Sequence, residues 1–264
     1  MRAILPILIG AATLFAQTPP ATKAPAKAPA KAPTAAAGPS QRLLNPALAK
    51  ARAPDLYRVK FTTTKGDFVV EVSREGAPLA ADRFYNLARI GFFTNVSFYR
   101  VIGGSLVQFG LSPYPAVSKV WATAAIHDDP VKLHNVAGSI TFAMAGPNTR
   151  TTQLFINLSD ANVQYDSAGF APFGKITEGM DVVKGLYSGY GDIAEQGGRG
   201  PSQNQATLQG KPYLDKNYPL LYSIKSATVI FPEPVAPAAA KKAPAAATTN
   251  PDFSSMRPTY AWCL

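Results

Sequence analysis

The chain has 264 residues, with 26 Lys and Arg against 16 Asp and Glu, a formal net charge of +10 at neutral pH. Residues 55–230 hold 16 basic and 14 acidic side chains and only 9 of the 24 prolines, so the basicity belongs to the two ends, which sets aside a nucleic-acid partner. The single cysteine, Cys263, excludes an internal disulfide framework, and two isolated histidines, His127 and His134, do not make a zinc site.

Arg2 precedes a short apolar run over residues 3–16 that ends at Gln17-Thr18-Pro19-Pro20. This pattern predicts a signal peptide over residues 1–16 and an exported protein, periplasmic or secreted. The run is too short for a membrane span, and none is expected after cleavage. Residues 17–54 read as a linker. Lys23-Ala24-Pro25, Lys27-Ala28-Pro29 and Lys31-Ala32-Pro33 repeat there, a composition that cannot bury a core and favours extended backbone. Residues 232–264 read as a low-complexity tail in which Phe253, Tyr260 and Trp262 are too few to fold alone.

The folded domain is expected over residues 55–231. Leu56-Tyr57-Arg58-Val59-Lys60-Phe61-Thr62 alternates apolar and polar positions, Lys65-Gly66-Asp67 supplies a turn, and Phe68-Val69-Val70-Glu71-Val72 returns, which predicts a hairpin. Pro78 opens a helix with Leu79, Phe84, Leu87 and Ala88 at helical spacing, stopped by Gly91. Short strands follow at residues 96–102, 105–109, 139–143, 154–157 and 173–176, then a second short helix at 179–186 and a last strand at 226–230. The connection between Tyr187 and Tyr222 carries Gly197-Gly198-Arg199-Gly200-Pro201. It also holds a poor helix over 203–215, interrupted by Gly210 and Pro212 and pinned by Tyr213, Tyr218 and Tyr222. Many short strands with few helices indicate a mostly-β sandwich or barrel, between which periodicity does not choose.

The chemistry centres on Phe98-Tyr99-Arg100-Val101-Ile102-Gly103-Gly104, Ala143-Met144-Ala145-Gly146-Pro147-Asn148-Thr149 and Gln153-Leu154-Phe155-Ile156-Asn157. One arginine sits on an apolar strand before a glycine turn, followed by a small-residue loop, an amide and an aromatic. No nucleophile elbow or P-loop occurs, and Asp128-Asp129-Pro130 reads as a turn. In order, spacing and residue type these segments resemble the cyclophilins. Gly169-Phe170-Ala171-Pro172-Phe173-Gly174 resembles the form common in bacterial members of that family.

The resemblance implies a closed eight-stranded antiparallel β-barrel capped by two α-helices, with disordered tails. It also implies peptidyl-prolyl cis-trans isomerase activity that assists protein folding without a cofactor or a covalent intermediate. Rotation about a peptide bond costs roughly 18–20 kcal/mol because of amide resonance. A cation that donates a hydrogen bond to the prolyl nitrogen acts only as the bond twists and frees the lone pair, so it stabilises the transition state selectively. Arg100 matches the catalytic arginine and Gln108 the glutamine that holds the substrate carbonyl. Leu106, Phe155, Tyr165 and Phe173 match walls of the proline pocket, Ala143 and Met144 the strip behind the peptide, and Gln153 a glutamine of the same groove. An arginine tip buried in an internal ion pair, or turned away from Gln108, would not serve.

The chain departs from the family pattern at Ser105, where a phenylalanine is usual, at Gln164 for tryptophan and at Phe170 for histidine. Phe109 and Leu111 stand for the usual Gly and Asp. Ser105 removes pocket wall and motivates a second reading, a catalytically weak proline-peptide-binding module. A third reading, envelope attachment, rests on the Lys-Ala-Pro spacer. The expected partners are proline-containing unfolded or flexible polypeptides. A monomer is expected because a closed barrel offers no free sheet edge.

Overall fold

The computed structural model describes residues 38–231. The expected signal peptide (1–16), the Lys-Ala-Pro repeats and the C-terminal tail with Cys263 lie outside the described residues. Among the described residues no helix is long and apolar enough to cross a membrane.

Strand β1 (Leu56–Thr63) turns Tyr57, Val59, Phe61 and Thr63 inward, and β2 (Asp67–Ser73) buries Phe68, Val70 and Val72 against them in the expected hairpin. The turn is closed by Thr63, whose hydroxyl donates to the Gly66 carbonyl and accepts from the Lys65 and Gly66 amides. Helix α1 (Pro78–Arg89) packs Ala80, Ala81, Phe84, Leu87 and Ala88 on the sheet and leaves Leu79 exposed. Its first turn has no side-chain cap of its own. The Asp129 carboxylate supplies one, accepting from the Leu79 and Ala80 amides at 3.0 and 2.9 Å. Thus Asp129, expected as part of a plain turn, fixes a helix end.

The remaining strands are β3 (Arg100–Ile102), β4 (Leu106–Phe109), β5 (Ser139–Phe142), β6 (Leu154–Asn157), β7 (Gly174–Glu178) and β8 (Ile224–Ile230). They form one antiparallel eight-stranded sheet in the order β3-β4-β6-β5-β7-β2-β1-β8. Phe61, Phe84, Phe93 and Phe109 fill its concave side with mutual ring contacts, and Phe68 and Phe98 extend the cluster.

Two features of the expected architecture are corrected. First, the sheet curls without closing, because its terminal strands β3 and β8 do not pair as a ladder. The chain before β3 meets the start of β8 only through an isolated bridge, Ser97–Ser223, and a few backbone bonds such as Ile224 N–H to the Val96 carbonyl. β3 has only three residues, and its outer edge is met at Val101 by Gly191 of the long connection. The closed-barrel reason for a monomer lapses with this.

Second, five α-helices and three short 3₁₀ helices are present among the described residues, instead of two caps. α2 (Pro115–Trp121) was not legible as a helix, α3 is Met180–Lys184, and α4 (Gln203–Gln209) and α5 (Lys211–Asn217) replace the expected poor helix. The break between them falls at Gly210 (φ 68°), where a Cβ would stand 2.3 Å from the Pro113 carbonyl oxygen. Pro212 starts α5 rather than interrupting it. Part of the stretch read as linker also packs on the domain. Leu43 is buried, its carbonyl accepts from the Trp121 indole at 2.8 Å, and Ala53 N–H donates to Asp82.

Candidate functional site

Strands β3 and β4 are short and antiparallel, and their register sets Arg100 directly opposite Gln108. β6 follows on the other side of β4 and pairs Phe155 with Gln108. Side chains on one face of neighbouring strands share a surface. The pairing therefore brings three residues spanning more than fifty positions of sequence to one patch. Arg100, Leu106, Gln108, Ala143, Met144, Phe155, Tyr165 and Phe170 line one cavity of about 330 Å³. Gln153 lines an adjoining one of about 150 Å³, together with Gln108, Ala143 and Met144.

The apolar end of this groove is an aromatic corner. Phe155 meets Tyr165 edge-on at 5.9 Å and Phe170 at 5.5 Å, and Tyr165 and Phe170 are 5.6 Å apart. Such T-shaped contacts hold each ring in place and leave a rigid hydrophobic recess. Phe170 fills the position where histidine is usual, and the ring that it offers was not among the expected pocket residues.

The polar end is a chain of amides around the arginine. Arg100 Nη1 donates to Gln108 Oε1 at 2.9 Å, Gln108 Nε2 donates to Gln153 Oε1 at 3.3 Å, and the Tyr99 hydroxyl also donates to Gln153 Oε1. Burial raises the Tyr99 phenol far above its ordinary range, so it remains a neutral donor that fixes Gln153.

Arg100 faces Gln108, as a catalytic role requires. It also enters an ion pair that the sequence did not disclose: Nε to Asp192 Oδ1 at 2.6 Å and Nη2 to Asp192 Oδ2 at 3.2 Å. The pair is not sealed, since the two side chains are 20% and 32% exposed. The Nη1 edge remains directed along the groove. Asp192, with Ile193, Gln196 and Gln203 that line the same cavity, comes from the 187–222 connection. Nothing in the local sequence marks these residues, because the docking of Gly191 on β3 decides their place.

One expected pocket residue is elsewhere. Phe173 is fully buried and packs on Phe84 at 5.1 Å and Phe142 at 5.4 Å, so it belongs to the core. Ser105, at the position of the missing phenylalanine, holds the groove rim through its backbone, its carbonyl accepting from Leu158 N–H and the Asn162 side-chain amide. Among the described residues no group of three or more His, Cys, Asp or Glu side chains could hold a metal ion.

Residues 58–209 match the family described as cyclophilin type peptidyl-prolyl cis-trans isomerase/CLD. The chain belongs to that family. This cyclophilin is 32% identical over 151 residues to the peptidyl-prolyl cis-trans isomerase of Acinetobacter baylyi, covering 53% of this chain and 77% of that protein. It is 33% identical over 147 residues to peptidyl-prolyl cis-trans isomerase B of Escherichia coli, covering 50% and 86% respectively. Its fold is similar to the crystal structure of a cyclophilin type isomerase from Cryptosporidium parvum, with a TM-score of 0.50 and 20% identity, over 67% of this chain and 99% of that one. The cyclophilin is a peptidyl-prolyl cis-trans isomerase.

Proposed function

We propose that Arg100 and Gln108 carry the isomerisation of X-Pro bonds in unfolded or flexible polypeptides. The proline ring enters the recess of Leu106, Phe155, Tyr165 and Phe170. Gln108 anchors the carbonyl before the proline, and Arg100 Nη1, one of whose two N–H groups bonds Gln108 Oε1, donates with the other to the prolyl nitrogen as it becomes pyramidal. The donor is charged, weakly hydrated and held in place, so it costs little reorganisation when the bond twists. Ala143 and Met144 support the peptide beside the ring.

The observation that carries this assignment is the 2.9 Å contact between Arg100 Nη1 and Gln108 Oε1 at the mouth of the aromatic recess. NMR exchange on an Ala-Pro peptide tests it. Arg100→Ala is expected to lower the acceleration by about a hundredfold, to a residual but measurable level, while the fold is kept, and unchanged exchange rates would remove the arginine from its role.

The setting proposed for this activity is the cell envelope or the exterior. The apolar run at residues 3–16 supports an export signal, and the Lys-Ala-Pro repeats support a spacer between the domain and its surroundings. Fractionation of cells expressing the full chain tests the location, with recovery only in the cytoplasm as the contrary result.

A further inference from the structure

The 187–222 connection accounts for a motif that the reaction itself leaves unused, the glycines of Gly197-Gly198-Arg199-Gly200. Gly198 and Gly200 lie against the backbone of Asp192. The Asp192 carbonyl accepts from Gly200 N–H at 2.7 Å, and a Cβ at Gly198 or Gly200 would lie 2.1 or 2.6 Å from that oxygen. Gly191, at φ +68°, takes the left-handed conformation that lets the chain bridge to Val101 and turn at once. The carboxylate is fixed in turn by its own neighbour, Ile193 N–H to Oδ1 at 2.7 Å. A tight, glycine-dependent turn thus presents both oxygens of one carboxylate to the Nε and Nη2 edge of Arg100.

This ion pair is not what attaches the connection to the domain. Ile193, Ala206 and Leu214 are buried with Tyr99 and Leu111 in an apolar cluster of their own. Glu195 ties the start of α4 by accepting from the Ser202 hydroxyl and from the Gln203 and Asn204 amides. With docking supplied by those contacts, the geometry at Asp192 is left to act on the arginine. A guanidinium held on two donors by a carboxylate cannot rotate about its last torsions, and it offers one edge only.

We infer that Asp192 is a positioning residue for isomerisation, locking the Arg100 guanidinium so that its Nη1 edge points along the groove at Gln108 and the prolyl nitrogen. The inference rests on the assignment of Arg100 above. Alignment of the donor matters in the transition state and little for holding the peptide, so its loss belongs in kcat.

The experiment is NMR exchange on an Ala-Pro peptide over a concentration series, with the full-length protein and Asp192→Ala, Asp192→Asn, Arg100→Ala and the Asp192→Ala/Arg100→Ala double variant. Asp192→Ala is expected to lower kcat by about tenfold with KM within about twofold. Asp192→Asn retains an acceptor for Nε, has nearly the same volume, and should lie between; it carries the test if the alanine variant does not fold. In the Arg100→Ala background the Asp192 substitution should add nothing, because its effect passes through the arginine. A full kcat in both Asp192 variants, a change confined to KM, or a further loss on top of Arg100→Ala overturns the inference while the Arg100 assignment stands. Full activity in Arg100→Ala overturns the assignment, and the inference with it.

Discussion

Arg100 and Gln108 are direct partners across the β3–β4 register, and their side chains meet at 2.9 Å on the groove face. The glutamine is thereby oriented by the arginine, and both are oriented by two strands rather than by a loop. Gln108→Ala should keep the fold and lower kcat/KM by about tenfold, since one hydrogen bond to the substrate carbonyl is lost and the Arg100 Nη1 donor is released from its partner. Peptide exchange at subsaturating substrate measures this. Activity equal to wild type would show that the carbonyl is held by another group.

The three segments that identify the groove are local: an arginine before a glycine turn, a small-residue loop, and an amide two residues from an aromatic. Through the resemblance these segments carry, Arg100, Gln108, Phe155, Ala143 and Met144 were legible as groove residues, and hydrogen bonding between adjacent strands makes Arg100, Gln108 and Phe155 converge. Asp192, Ile193 and Gln203 were not. Ninety-two residues separate Arg100 from Asp192, and the packing of the long connection on Tyr99 and Leu111, with the bridge of Gly191 to the open edge of β3, brings them together. The closed barrel is what the resemblance implies, since periodicity reports only which face of a strand is buried; closure depends on what the outermost strands meet, and β3 and β8 do not pair as a ladder. Phe173 shows the same limit at a single residue, because an aromatic on a strand looks alike whether its ring lines a groove or fills a core.

Phe173 separates packing from binding. Its ring lies between Phe84 and Phe142 and reaches neither cavity of the groove. Phe173→Ala should cost about 3–5 kcal/mol through lost burial and the space left behind. Urea unfolding should show the loss, while KM for the Ala-Pro peptide, measured on the fraction that is folded, stays at the wild-type value. Phe155→Ala should do the reverse, raising KM with a smaller effect on stability, because its ring borders an open recess. A raised KM in Phe173→Leu, which keeps most of the volume, would return this residue to the pocket.

Asp129 is a second place where one carboxylate serves two elements. It accepts from the first-turn amides of α1 and lies 3.6 Å from Arg150, a guanidinium that is 1% exposed and also faces Asp128 at 3.0 Å. Removing one partner of a buried charge leaves the other uncompensated. Asp129→Ala should therefore destabilise the domain by about 3 kcal/mol, with loss of the helix cap adding to a buried arginine left with Asp128 as its carboxylate partner. Thermal unfolding tests this, and α1 amides should lose protection in hydrogen exchange before those of β1. A substitution with no effect on Tm would mean that Asp128 alone satisfies Arg150.

Glu195 gives the connection a dependence on pH. Burial on its own would raise its pKa, but hydrogen bonds from the Asn204 amide, the Ser202 hydroxyl and the Gln203 amide favour the charged form and bring it down to about 2, from an ordinary 4.5. A carboxylate whose folded value is depressed contributes stability above its unfolded value and loses it as the pH falls towards the folded one. The contribution of Glu195 is thus fully present above about pH 4.5 and declines towards pH 2. Glu195→Gln cannot provide it at any pH. The difference in urea midpoint between wild type and Glu195→Gln should be constant from neutrality to mildly acidic pH and shrink as the pH falls below 4.5. A midpoint difference that grows on acidification would reverse the sign assigned here to Glu195.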